Sequence, residues 1–71
     1  MYVEYSRSPR GFARFAFVDV EGKNCSLEQT DHAAPGAIAL MNGSGNRITL
    51  GRAEVAALMP LLGGFVATGK L

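Results

Sequence analysis

The sequence predicts a small α+β domain, a small antiparallel sheet of three or four strands followed by one C-terminal helix. Short runs rich in aromatic and β-branched residues fill residues 11–50. Turns that contain glycine and asparagine separate these runs. From residue 52 the apolar residues recur at spacings of three and four, as on one face of a helix. At 71 residues the chain is long enough for a single domain, residues 1–71.

The first ten residues are predicted to be a lead-in segment or an edge strand. Pro9 disfavours a helix at the residue before it. The first residues of a domain are also often loosely held. Both alternatives place residues 1–10 outside the centre of the sheet.

Four strands are predicted in the sheet region, residues 11–50. The first lies within 11–20 and forms a hairpin with residues 25–30 through a turn at 21–24. A loop through residues 31–36 leads to the third strand, at 37–41, and a turn at 42–46 leads to a short fourth strand at 47–50.

The C-terminal segment is predicted to be a helix over residues 52–67. Its large apolar side chains share one face, which we expect to pack on the sheet; they are Val55, Leu58, Met59, Leu62, Phe65 and Val66. Pro60 removes one hydrogen bond inside the helix, so it either kinks one helix or divides two. Gly69 supplies the stop, since glycine readily adopts the left-handed conformation that closes many helices.

The first strand is apolar on both faces, which predicts self-association. Alternation places Phe12, Arg14, Ala16, Val18 and Val20 on one face, and Ala13, Phe15, Phe17 and Asp19 on the other. One helix covers only one face of a sheet, so a second subunit is expected on the other. The predicted partner is therefore another copy of the chain, and the predicted interface residues are Phe12, Phe15 and Phe17.

Composition narrows the class of protein further. The single cysteine, Cys25, excludes an internal disulfide and any zinc site built from several thiolates, and a lone thiol suits a reducing cytoplasm. The formal net charge of +1 gives no overall attraction to nucleic acid or membranes. The start of the chain lacks the pattern of a signal peptide, and no apolar run reaches membrane-spanning length. We expect no cofactor, no metal and no membrane association.

An enzyme is not expected, although one set of residues has the composition of a catalytic site. A thiolate nucleophile at Cys25 would need His32 as its base and Asp31 or Asp19 to orient the imidazole. Nothing in the spacing demands that contact, so Cys25 is interpreted as a buried structural cysteine. The glycines of residues 42–46 are interpreted as a hairpin turn, because the Lys-Ser or Lys-Thr of a phosphate-binding loop does not follow them.

Arginine and aromatic residues supply the candidate ligand site. Arginines interleaved with aromatic residues near the start of the chain have the composition that contacts phosphates and stacks on bases. The start of the predicted helix adds backbone N–H groups that suit an anion. The candidate ligand-binding residues are Tyr5, Arg7, Arg10, Arg14, Arg47, Gly51 and Arg52. Structural roles remain the alternative for Arg14, which can extend from the sheet into solvent, and for Tyr5, which can cap the core.

Residues 10–71 resemble a family of short proteins encoded by tailed bacteriophages and prophages. The resemblance rests on Arg10-Gly11-Phe12, on Cys25-Ser26-Leu27 after the first hairpin turn, on Val55-Ala56-Ala57-Leu58-Met59-Pro60 in the helix and on the closing Thr68-Gly69-Lys70-Leu71. The family usually has Ile-Trp-Leu-Gly where this chain has Ile38-Ala39-Leu40-Met41, so its tryptophan is replaced here by Ala39.

The resemblance implies a phage origin and no mechanism. Phage proteins of this size commonly act by binding, so we expect an accessory protein that antagonises host antiviral defence in the host cytoplasm. Its partner would be a nucleotide immune signal, which it would sequester, or a defence protein, which it would block. The alternatives are a small nucleic-acid-binding regulatory protein and a structural phage subunit.

Overall fold

The computed structural model of the chain describes residues 1–30 and 36–71. Its fold is one five-stranded antiparallel sheet followed by one helix, which confirms the α+β class with a strand more than expected. The elements are β1 Glu4–Arg7, β2 Ala13–Val18, β3 Asn24–Thr30, β4 Ala37–Met41, β5 Arg47–Leu50 and α1 Arg52–Thr68. Each strand pairs with its neighbours in sequence, so the sheet is a simple meander. The extra strand is β1, and the N-terminal segment is therefore an edge strand.

Three hairpin connections share one turn geometry, and each turn sets where the strand before it ends and where the strand after it begins. In each turn the first residue donates its N–H to the carbonyl of the fifth, across Ser8–Phe12, Asp19–Lys23 and Asn42–Asn46. A side-chain oxygen of the first residue accepts backbone N–H groups within the turn. The fourth residue is a glycine at φ of 84° to 86°, a conformation that other residues rarely adopt. The turn predicted at 21–24 thus lies at 19–23, and β2 ends at Val18.

The register gives the sheet two different faces. Directly opposed residues of antiparallel strands point to the same side. We call one side the mixed face; its central residues are Arg14, Ala16, Ser26, Glu28, Ala39 and Met41. We call the other side the apolar face; it carries Tyr5, Phe15, Phe17, Cys25, Leu27, Ile38, Leu40, Ile48 and Leu50.

The helix α1 is continuous through Pro60. Glu54 accepts a hydrogen bond from the N–H of Gly51 at 2.7 Å, which ties the first turn to the residue before it. At the other end Gly69 adopts the left-handed conformation at φ 76° and donates its N–H to the Phe65 carbonyl at 2.7 Å. The predicted start and stop of the helix are confirmed within one residue, and Pro60 lies in one helix rather than between two.

The expectation that α1 packs on the sheet is wrong. In the described part of the chain no residue of α1 is buried, and its main contact with the sheet is at β5. The physical reason is the connection, because only Gly51 separates β5 from α1 and its backbone is extended, with φ −87° and ψ 179°. One residue does not provide enough chain to turn a helix back over a sheet. Leu58, expected to contact the sheet, is instead 38% exposed.

The described part of the chain has almost no hydrophobic core of its own. Its buried apolar residues are Ala37 and Ala39, at 1% and 2% exposure, and its buried polar residue is Ser26. All three belong to the mixed face, where small side chains follow one another across neighbouring strands. Within the described ranges no helix has the length and hydropathy needed to cross a membrane.

Candidate ligand-binding cavity

An open cavity of about 750 Å³ lies on the mixed face, at the end of the sheet that carries the 19–23 and 42–46 turns. Its floor is made by small side chains of adjacent strands, such as Ala16 and Ser26. Met1 and Tyr2 border it on the β1 side, and Met41 on the β4 side. Small side chains at the centre and longer ones around it leave the depression that forms the cavity.

Arg14 is the cationic group at the cavity. Its Nε lies 3.9 Å from Oε2 of Glu28, its directly opposed neighbour on β3. The Arg14 side chain is 40% exposed, so this long and solvated ion pair contributes little to stability. The guanidinium therefore has donors available for a second acceptor in the cavity.

The polar part of the lining also includes Glu4 of β1 and amide groups from the two turns. Asn24 begins β3 and Asn42 begins the 42–46 turn, and both line the cavity. Asn42 Oδ1 accepts the N–H groups of Ser44 at 2.9 Å and Asn46 at 3.1 Å, which fixes the side-chain orientation. Its amide nitrogen keeps two donors for a ligand.

The two turns are in close contact with each other, which holds the cavity rim in place. A Cβ added at Gly43 would lie 3.1 Å from the Asn24 carbonyl oxygen and 3.1 Å from the Cβ of Lys23. Gly43 therefore lets the 42–46 turn approach the start of β3 more closely than a side chain would allow.

The arginine and aromatic residues proposed from the sequence are distributed over several surfaces. Arg14 lines the cavity, and Arg47 lies on the same face opposite Met41. Tyr5 and Arg7 lie on the apolar face. Arg10 belongs to the 8–12 turn.

These other residues have structural contacts. The Tyr5 ring is 5.2 Å from the Phe15 ring across the strand pair, and Arg7 Nη1 donates to the Gly11 carbonyl at 2.7 Å. The Arg10 guanidinium stacks 5.6 Å above the Phe12 ring. The first arginines thus do not form one continuous basic surface with Arg14.

The helix start offers less to an anion than its sequence indicates. The Gly51 N–H is already bonded to the Glu54 carboxylate, so the chain's own anion takes one of the donors that a ligand would use. Arg52 follows on the exposed first turn of α1.

Cys25 is half-buried rather than buried, and its thiol lies near a carboxylate and a backbone carbonyl. Its Sγ lies 3.8 Å from Oδ2 of Asp19. Hydrogen bonds from the backbone N–H groups of Lys23 and then Glu21 lower the pKa of the Asp19 carboxyl. A carboxylate of lowered pKa is a poor general base. The proposed partners Asp31 and His32 lie outside the described residues.

The predicted interface residues fall into two groups. Phe15 and Phe17 lie on the apolar face, and Phe12 lies in the 8–12 turn against Arg10. A second, smaller depression of about 260 Å³ opens on the apolar face beside Phe17. No group of His, Cys, Asp or Glu side chains suited to a metal ion forms within residues 1–30 and 36–71.

Of the residues that line the cavity, the sequence reasoning proposed Arg14 alone as ligand-binding, and the polar lining residues that it missed include Tyr2, Asn24, Ser26 and Asn42. The two asparagines flank the turns, where that residue type usually stabilises the turn itself. The signal that identifies them is the register, which brings both turns to one end of the sheet.

Comparison of the chain with protein-family models, with curated proteins and with solved structures finds no match. The cavity and its lining are therefore interpreted from the chain's own residues.

Proposed function

We propose that this chain is a phage-encoded binding protein that sequesters a nucleotide immune signal of the host, and so antagonises antiviral defence. The observation that carries the binding part is the 750 Å³ cavity with the Arg14 guanidinium at its wall. Its volume falls within the range of about 300–1,000 Å³ typical of small-molecule sites. The phage context comes from the sequence resemblance.

The chemistry of the lining suits a nucleotide better than an apolar ligand. Arg14 can hold a phosphate with charge-assisted hydrogen bonds. The amide groups of Asn24 and Asn42 can read the polar edge of a base. Tyr2 and Met41 provide apolar surface against which a base can lie.

Binding without turnover is the favoured mode. In the described part of the chain the Cys25 thiol lies beside the Asp19 carboxylate, whose pKa is lowered, and beside the Lys23 carbonyl oxygen. Neither the thiol nor the carboxylate is arranged to activate water or a nucleophile against a ligand held by Arg14. A protein of this kind acts stoichiometrically, so it must be made in amounts comparable with the signal it removes.

A protein target is the second candidate, because large apolar side chains are exposed on the apolar face and along α1. The arrangement is less favourable to nucleic-acid binding, since Arg7 and Arg14 lie on opposite faces of the sheet and give no continuous basic track. A structural phage subunit would use the apolar surfaces for assembly alone, and the protein would then co-purify with particles.

The test is native mass spectrometry of the protein purified from cells with an active nucleotide-signalling defence. We expect a retained mass beyond the polypeptide that matches a nucleotide. Titration of that nucleotide into the Arg14→Gln variant should show binding at least about tenfold weaker, equivalent to about 1.4 kcal/mol. Binding should also weaken with added salt, because a partly exposed charge pair is screened.

Arg52→Gln is the matched control, since it removes the same charge from an exposed position on α1 outside the cavity. Its affinity should equal that of the unmodified chain. Equal loss in both variants would show that net charge and not the cavity controls binding. A protein that retains no nucleotide, and binds none on titration, contradicts the sequestering function.

A further inference from the structure

The chain exposes more surface than a compact protein of its mass. Its accessible surface is 5553 Å². A compact monomer of 7.5 kDa exposes about 4,200 Å², which leaves an excess of about 1,300 Å². A standard protein interface removes about 800 Å² from each partner, so the excess is enough for one substantial interface per chain.

Several of the exposed large apolar side chains belong to helix α1. Between Glu54 and Lys70 it has no charged residue. The large side chains that share one face of α1, from Val55 to Val66, form what we call its stripe. Leu62 and Phe65, in this stripe, are 54% and 50% exposed. Helices that are apolar around most of their circumference are found buried in larger structures.

The helix cannot cover its own sheet without rebuilding its start. Gly51 is the whole connection to β5, and its N–H is held by Glu54 in the first helical turn. Each copy therefore presents an uncovered helix and an uncovered apolar sheet face, joined so that they do not meet within the chain.

The apolar face contains a depression that can hold a large side chain. The depression of about 260 Å³ is lined chiefly by Phe17, Cys25, Leu40 and Ile48. An apolar protein cavity of about 150 Å³ is enough to admit benzene, so this depression can accept a leucine or phenylalanine side chain. Buried side chains seated in such pockets contribute most of the binding energy of interfaces.

We propose that α1 of one copy lies across the apolar face of a second copy and inserts a large side chain of its stripe into this depression. The 17 residues of α1 make it about 25 Å long, and five strands span about 19 Å, so one helix crosses the whole sheet. Each copy has one helix and one such face, so two copies that exchange helices reciprocally, in a two-fold dimer, leave neither uncovered.

The ligand cavity opens on the mixed face and the exchanged helix covers the opposite one, although the cavity and the depression share the lining residues Phe17, Cys25, Met41 and Asn42. Thiol cross-linking tests helix exchange and nucleotide titration tests the cavity, so failure of one proposal is distinguished from failure of the other.

The test uses Cys25, the chain's single cysteine, which lines the depression. In the variant Leu62→Cys each chain has two thiols, and mild oxidation with diamide joins thiols that lie close together. We expect a covalent dimer in which peptide mapping finds position 25 linked to position 62. Since each chain has only two thiols, a dimer containing that link must hold it between chains.

Ala57→Cys is the matched control on the opposite side of the same helix, and it should give about tenfold less of the mixed link because its thiol points away from the sheet. Native mass spectrometry of the unmodified chain should show twice the chain mass. An intrachain link in Leu62→Cys, equal linking from both sides of the helix, or a monomer mass at micromolar concentration would each overturn helix exchange.

Discussion

Asp19 and Asn42 perform the same task in two turns of one sheet. Each accepts two backbone N–H groups through Oδ1, at distances between 2.8 Å and 3.1 Å. Asp19 is ionisable and Asn42 is not. The molecule therefore contains a charged and a neutral version of one turn, which isolates the contribution of the charge.

The stability of the protein should fall in acid partly through Asp19. Its pKa is lowered in the folded state, chiefly by the Lys23 N–H. In the unfolded chain an aspartate has a pKa of about 3.9, so above that pH the ionised carboxylate stabilises the folded state. The contribution is lost as the pH falls through the lowered pKa. Urea unfolding at a series of pH values should show this loss.

Asp19→Asn should remove this part of the acid dependence while the turn still forms, as the turn at Asn42 shows that a neutral acceptor suffices. Asn42→Ser serves as the comparison, because it changes the sister turn without removing a charge and should leave the pH profile unchanged. An acid dependence that persists unaltered in Asp19→Asn would exclude this carboxylate as its source.

Glycines in the turns and glycines in the helix have opposite effects on stability. Gly22 and Gly45 lie at φ near 85°, where a side chain is strained. Gly63 and Gly64 lie inside α1, with open space where a Cβ would point. The first pair is required by its backbone conformation, and the second pair only weakens the helix.

Two glycine substitutions should therefore shift stability in opposite directions. Gly22→Ala should destabilise the protein by about 1–2 kcal/mol, because alanine is strained in the left-handed conformation. Gly64→Ala should stabilise it by about 0.5–1 kcal/mol through helix propensity. For a domain of this size, about 1 kcal/mol corresponds to a Tm change of about 4–8 °C, which thermal unfolding by circular dichroism resolves. Changes of the same sign would contradict the turn geometry.

At the scale of the whole molecule, the stability of the chain should depend on its concentration. The buried apolar residues of the described part are two alanines, and large apolar side chains are exposed on the helix and the sheet. A domain of about this size gains little from a core so small. If copies associate, mass action raises the Tm as the protein concentration rises. A Tm that stays constant between micromolar and millimolar concentration would contradict association.

Phe15→Asp should lower the oligomer mass in native mass spectrometry, because it places a charge on the apolar face beside Tyr5. Val20→Asp is the control. Val20 is fully exposed in the 19–23 turn, so the same chemical change there should leave the mass unaltered. Loss of the oligomer in both variants would show that added negative charge alone dissociates it.

Local pattern was enough to locate most of the elements. The predicted bounds of β4 and β5 are those of the structure, and α1 ends within one residue of its prediction, because turn residues and apolar periodicity act over a few neighbouring positions. The shift of the first turn from 21–24 to 19–23 has a local cause too, since the side chain of Asp19 caps the turn and ends β2.

Only the tertiary structure decided which residues that are distant in sequence line one cavity. Arg14 was identified from composition, but Asn24 and Asn42 join it through the register of three strands, β2 to β4, which no local pattern contains. The separation of α1 from the sheet is likewise a property of one backbone conformation at Gly51. Amphipathic periodicity shows that a helix face needs a partner, and it does not show whether that partner lies in the same chain.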